Sequence, residues 1–192
     1  MTKLSVRVAR VEDATKIGEI QSQTLPAAIQ AGTDHPLDLA FSASELAQQW
    51  EHTIANLPGA NYWVLVAVAD EDIQGFAAVI PAEPVILEGD DATGLDDDGE
   101  PRIAFEITNL DVPAQFADSG HAARLLAAAT DLASEAGGRE VHMWVIAGND
   151  SQTQLLGGAG FAPRPVRRVA EVGGAEIAEH LWWALITNAP AA

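Results

Sequence analysis

The chain has 192 residues, enough for one domain with a sizeable core, and its lack of cysteine excludes disulfides, thiolate–metal sites and a cysteine nucleophile. Ten Lys plus Arg against 28 Asp plus Glu give a formal net charge of −18, a surface that repels phosphate backbones, argues against nucleic acid as a partner and attracts cationic small molecules. No apolar run reaches the ~18 residues of a membrane span and no apolar stretch follows the N-terminal charges, so the expectation is a cytoplasmic protein with no membrane partner.

Residues 4–10 alternate apolar and polar side chains, the period of a strand with one face on a core. After Glu12 and Asp13, Ala14, Ile17, Ile20, Gln21 and Leu25 fall at helical spacing, with the acidic pair where the helix dipole favours it. Pro26 predicts an end or a kink, followed by a loop or broken helix through Gly32, Asp34 and Pro36 to Leu39. Ser42 with Glu45 three residues later is a capping-box signature, and Leu46, Trp50, Ile54 and Leu57 share one face of a second helix that stops at Pro58-Gly59. Residues 62–69 and 73–80 read as a hairpin around an acidic turn, and 102–112 as a further strand.

Between these strands lies the segment 83–100, acidic and Gly-rich from 88 onward. An EF-hand register across it puts Gly94 first and Phe105 twelfth, where Asp and Glu are required, so a solvated loop is expected there and no calcium site. Residues 122–136 form an Ala-rich helix with Leu125, Leu126, Ala129, Leu132, Ala133 and Ala136 on its apolar face, closed by Gly137-Gly138. A strand over 141–147, a short helix from Asn149 to Gly157-Gly158, and strands over 161–172 and 178–187 complete the chain. The order predicts a single domain over 1–192 of α/β class (α+β, mixed sheet): a largely antiparallel central sheet flanked by helices, with one crossover helix.

The chemistry concentrates in residues 104–126, where a buried strand enters a turn and then a helix with small residues in its first turn. That arrangement presents unpaired backbone N–H groups to an anion such as a pyrophosphate, and small residues at Gly120 and Ala122 let oxygens approach the backbone. A plainer reading makes Gly120 a helix-entry glycine.

Leu110-Asp-Val-Pro113, Gly120-His-Ala122 and Leu125-Leu126 together resemble the acetyl-CoA-binding motif of the GNAT superfamily. Asn149, its short helix and Gly160-Phe161 resemble that superfamily's next motif. The resemblance spans nearly the whole chain in element order and implies a GNAT-like acyl-CoA N-acyltransferase fold. It also implies transfer of an acetyl group from acetyl-CoA, as cosubstrate and without a metal, to a primary amine. The acceptor would be a cationic small molecule or a peptide, and the amine would attack the thioester directly. By the same resemblance the backbone of Leu110, Asp111 and Val112 lies along the pantetheine arm where the fourth strand splays from the fifth. The N–H groups of Ala117, Asp118, Ser119, Gly120, His121 and Ala122 hold the pyrophosphate, Asn149 contacts the arm or the acyl end, and a homodimer forms through the closing strands.

Glu106 is the candidate base. An ammonium must lose its proton before nitrogen attacks, and a strand carboxylate beside the acetyl group has its proton affinity raised by burial. The alternative is a carboxylate facing solvent or paired with Arg102. Two residues depart from the superfamily pattern. Ala117 stands where an Arg or Gln usually begins the phosphate motif, leaving Arg124 or His121 to supply positive charge. Leu156 stands where a tyrosine often protonates the departing thiolate, and Tyr62 is the only tyrosine in the chain. These departures sustain a second reading, a catalytically degenerate CoA-binding or regulatory module. The histidines (His35, His52, His121, His142, His180) lack metal-ligand spacing, and Trp144, Trp182 and Trp183 are either acceptor-pocket or core aromatics.

Overall fold

The structure of the protein, a computed structural model, describes residues 3–87, 99 and 102–186; the acidic stretch 88–100, Gly99 apart, lies outside them. In chain order the elements are β1 (Leu4–Val8), α1 (Ala14–Ala31), α2 (Ala43–Ala55), β2 (Trp63–Ala69), β3 (Asp72–Ala82) and β4 (Ala104–Asp111). Then come α3 (His121–Glu135), β5 (Glu140–Ile146), α4 (Asp150–Gly158), β6 (Ala162–Val172) and β7 (Ala175–Leu185). This is the order that the periodicities predict, with two short 3-10 segments, Val11–Asp13 and Ala114–Ser119, added ahead of α1 and α3.

The strands form one sheet in the order β1-β2-β3-β4-β5-β7-β6. Every neighbouring pair is antiparallel except β4 and β5, which α3 joins by a crossover. Strand alternation divides the interior in two. Leu65, Ala77, Val79, Phe105, Ile107, Val141, Met143 and Val145 pack on one face with Leu125, Leu126 and Ala129 of α3 and Leu156 of α4. Val64, Val66, Val68 and Phe76 pack on the other with Ile17 and Ile20 of α1 and Trp50 and Ile54 of α2. The Ser42 hydroxyl accepts from the Glu45 N–H at 3.3 Å and starts α2 as its sequence predicts.

Of the two outcomes expected at Pro26, the end does not occur: helix α1 continues through it to Ala31, into residues expected as a loop or broken helix. Proline forfeits its own hydrogen bond to the carbonyl four residues back, but tertiary packing holds the turn that follows. Ile29 is buried, and Gly32 lies so close to the sheet that a Cβ there would sit 2.7 Å from Ile146 and 3.1 Å from Ile177. The carbonyl of Ala31 rests on Gly148, whose φ is +90° and where a Cβ would come within 2.2 Å of that oxygen. The last strand also starts earlier than predicted, at Ala175 rather than 178, because Gly173 and Gly174 both take positive φ and turn the chain within two residues.

Candidate active site

Parallel pairing between β4 and β5 covers Ala104 with Glu140, Phe105 with Val141 and Glu106 with His142, and stops there. Both strands run on: β4 stays paired to β3 as far as Asp111, and β5 to β7 as far as Ile146. The two therefore part like a fork, leaving backbone N–H and C=O groups beyond Glu106 and His142 without partners across the gap. Leu110, Asp111 and Val112 lie on the β4 side of this opening or just past it.

A β-bulge shapes that side. Val79 pairs with Ile107 and Ala78 with Asn109, so Thr108 is the extra residue. The bulge shifts the alternation by one: Phe105, Ile107 and Leu110 all enter the α3-side core. Glu106 and Asp111, five apart, consequently share the opposite face, where Asp111 meets Thr24 of α1. Burial raises the Asp111 carboxyl above the ordinary aspartate range, opposed by hydrogen bonds from Thr24 and Asn109.

From the end of β4 the chain passes through the 3-10 segment holding Ala117, Asp118 and Ser119, whose geometry commits N–H groups to carbonyls three residues back. Gly120 then takes φ +73° and starts α3 with no side-chain cap. The His121 N–H points to the Ser119 hydroxyl at 3.3 Å, so Ala122 and Ala123 carry the first-turn donors left uncapped. The Arg124 guanidinium folds back over this corner. Its Nη2 donates to the Ser119 carbonyl at 2.7 Å, and Nη1 lies 3.0 Å from where a Gly120 Cβ would be. Positive charge thus stands at the helix entrance despite Ala117.

His121 does not supply that charge. Its ring is fully buried, Nε2 lies 2.9 Å from Gln74 Oε1, and Nδ1 lies 3.4 Å from Arg124 Nη2. Burial and then Arg124 lower its proton affinity, which fits a neutral ring that donates from Nε2 and accepts at Nδ1.

Glu106 has His142 as its partner rather than Arg102: Oε2 lies 3.5 Å from Nε2 across the last rung of the parallel ladder. On the far side of the ring, Nδ1 lies 3.6 Å from Oε1 of Glu140, and both His142 and Glu140 are only 2% exposed. Burial works against a charged imidazole here, but the two carboxylates outweigh it and raise the pKa of His142 above its ordinary value. Metal-ligand spacing, which His142 lacks, does not reveal this cluster. The available signal was a Glu and a His alternating with Val141, Met143 and Val145 in an otherwise apolar strand.

Trp144 and Trp183 share the face of His142, the first two residues along β5 and the second as its register partner on β7. The Arg168 guanidinium lies 4.5 Å from the Trp144 ring centre and that of Arg164 3.8 Å from the Trp183 ring centre, so these two tryptophans, each carrying a cation, line the face that Glu106 and His142 share. Trp182 turns to the other face and packs against the α3-side core. Asn149 is the N-cap of α4: its side-chain oxygen accepts from the Gln152 N–H at 3.3 Å and its Nδ2 donates to Gln152 Oε1 at 3.1 Å. Leu156 is fully buried in the α3-side core. A separate groove of about 420 Å³ opens between α1 and α2, lined by Gln21, Leu25, Phe41 and Trp50 among others.

No known family profile and no curated protein matches the chain. Solved structures do. NAA60 of Arabidopsis thaliana, determined with acetyl-CoA, aligns with a TM-score of 0.69 at 16% identity over 96% of this chain and 99% of its own. The ribosomal-protein-S18-alanine N-acetyltransferase of Escherichia coli gives a TM-score of 0.64 at 15% identity over 97% of this chain and 96% of its own. An acetyltransferase of the GNAT family from Streptococcus pneumoniae gives 0.61 at 16% identity over 96% of this chain and all of its own. With the sheet order, the single parallel pair and the fork between its strands, this likeness establishes that the chain has the GNAT fold.

Proposed function

We propose that the protein is an N-acetyltransferase that moves an acetyl group from acetyl-CoA to a primary amine. The observation that carries this reading is the β4–β5 fork, which has a carboxylate, Glu106, at its apex and an uncapped helix entrance, Gly120 to Ala123, on the connection leading from its β4 arm. A pantetheine arm is a chain of amides, and the open backbone edge beyond Glu106 offers such a chain the donors and acceptors that the parted strand would have supplied. A pyrophosphate suits the N-terminus of α3, where the dipole, the N–H groups of Ala122 and Ala123 and the Arg124 guanidinium all favour negative charge. The solved structures with acetyl-CoA in the same fold support this assignment.

Acetyl-CoA supplies the activated acyl carbon, and the chain's own groups manage the proton. Glu106 takes one proton from the acceptor's ammonium, the nitrogen attacks the thioester carbonyl directly, the C–S bond breaks, and the second proton on nitrogen passes to the departing sulfur, which leaves as the CoA thiol. Leu156 has no acidic group and lies inside the core, and Asn149 is committed to its cap, so in this reading the sulfur takes its proton from the acceptor nitrogen and from neither side chain. The acceptor enters from the α1 and α2 face, where Glu106 offers a partly exposed carboxylate and Trp144 and Trp183 offer apolar surface. Those features suit an amine with a hydrophobic or aromatic body. The location is taken to be cytoplasmic, and no described helix is long and apolar enough to cross a membrane.

The test combines a thermal-shift titration with acetyl-CoA and a thiol-release assay across a panel of amines. A ligand that binds only the native state raises the melting temperature with concentration. A shift with thiol release supports the enzyme. A shift without release from any amine supports the non-catalytic CoA-binding module instead, and no shift removes the reading altogether.

A further inference from the structure

Strand period places Glu140, His142 and Trp144 on one face of β5 and gives the opposite face to Val141, Met143 and Val145. An imidazole and a carboxylate that are each 2% exposed are costly to bury unless they are paired. Here each ring nitrogen faces a carboxylate: Nε2 stands 3.5 Å from Glu106 and Nδ1 3.6 Å from Glu140. A neutral imidazole has one N–H and one lone pair, so one of its nitrogens would meet a carboxylate oxygen lone pair to lone pair. The imidazolium avoids this clash; at 3.6 Å its Nδ1 makes no hydrogen bond to Glu140, so that side contributes attraction between charges. Glu140 is held in turn by the Val85 N–H, which lies 3.3 Å from Oε1.

The other charged groups on this face are paired or more remote. Arg164 stacks on Trp183, Arg168 pairs with Glu179 and stacks on Trp144, Asp111 bonds Asn109 near α1, and Glu83 belongs to the segment that carries Val85. The charge state of His142 is therefore set by the two carboxylates that touch it.

We propose that His142 is a positioning residue for Glu106: an imidazolium braced by Glu140, it fixes Oε2 of Glu106 and leaves Oε1 to take the acceptor's proton. The role rests on the acetyltransferase reading above. One proton passes from the acceptor nitrogen to Oε1, while His142 keeps its own. The raised proton affinity of His142 agrees with this arrangement. A carboxylate fixed through one oxygen presents the other in a constant direction, which makes it a better-aimed base.

The experiment follows the histidine ring nitrogens of the full-length protein by NMR through a pH titration, with His142 assigned by loss of its signals in His142→Gln. The expected result is a His142 that remains doubly protonated above the ordinary midpoint near ~6.5. In Glu106→Gln and in Glu140→Gln that midpoint should fall by about one unit or more. A ring that is neutral at ordinary pH, or whose midpoint neither substitution moves, overturns the proposal. This readout needs no turnover, so it decides the charge relation even if no amine is acetylated and the functional reading fails. On the active enzyme, His142→Gln should lower kcat by about ten-fold or more while the KM for acetyl-CoA changes less than about two-fold. An unchanged kcat in a folded His142→Gln protein would equally overturn the positioning role.

Discussion

Glu106 and His142 are the last register partners of the β4–β5 ladder, and their side chains meet 3.5 Å apart on the face turned to α1. Glu106 stands where the strands part, half-buried and within reach of the opening. Glu106→Gln keeps the shape and removes the base, so turnover should fall by about 100-fold with the acetyl-CoA thermal shift preserved. The loss should be largest near neutral pH, where the acceptor is mostly ammonium, and should shrink as free amine becomes abundant. Full activity at neutral pH would move the base elsewhere.

Gly120 permits two separable tests. Its φ of +73° costs a side chain about 1 kcal/mol, and the atom a Cβ would meet is the mobile end of Arg124. Gly120→Ala should therefore fold with slightly reduced stability and still respond to acetyl-CoA. Gly120→Glu adds a carboxylate to the proposed anion site and should abolish the thermal shift at similar stability. A Glu variant that binds normally would place the pyrophosphate elsewhere.

Leu156 has no exposed surface and packs among Leu125, Met143 and Phe161. Leu156→Tyr, which would restore the superfamily's tyrosine, overfills that space and buries a hydroxyl. Chemical denaturation should register a loss of about 1–3 kcal/mol, without faster turnover. Unchanged stability together with a gain in kcat would show that the new phenol reaches the fork instead.

Arg7 grips Asp13 with two hydrogen bonds, 2.6 and 2.9 Å, and the Arg10 N–H adds a third at 2.7 Å. The Arg7 bonds, reinforced by that of Arg10, prevail over desolvation and hold the Asp13 carboxyl below its ordinary value. A depressed carboxylate contributes stability above its unfolded pKa, and that contribution is lost as pH falls through the folded one. Asp13→Asn should therefore cost about 2 kcal/mol at neutral pH. It should also flatten the fall in stability below about pH 4. A variant that loses stability on acidification as steeply as the wild type would assign the acid sensitivity to other carboxylates.

The element order was legible because each helix and strand carries its own period, and the turn into α3 because Gly120 and the small residues after it advertise a close approach. What escaped reading depends on partners distant in sequence. The continuation of α1 beyond Pro26 is decided by contacts across the fold, Gly32 against Ile146 and Ile177 and the Ala31 carbonyl against Gly148. The bulge at Thr108, which puts Glu106 and Asp111 on one face, is a mismatch with β3 and leaves no local mark. His142 finds Glu106 only through a parallel pairing closed by a whole intervening helix. Trp144, Trp182 and Trp183 read alike in sequence, yet strand parity sends two to the site wall and one to the core.

The brevity of the β4–β5 ladder bears on how the molecule moves. Strands β1 to β4 and β5 to β7 are two leaves stitched along three rungs, and the last of those rungs joins Glu106 to His142. A sheet built this way has a hinge line along its middle, and the charge pair sits on it. Opening the leaves by a small angle would stretch the contact between carboxylate and imidazole before disturbing any long antiparallel ladder. The alignment of the proposed base is thus tied to how far the sheet is open, and a cosubstrate arm wedged between the leaves would set that angle as it binds.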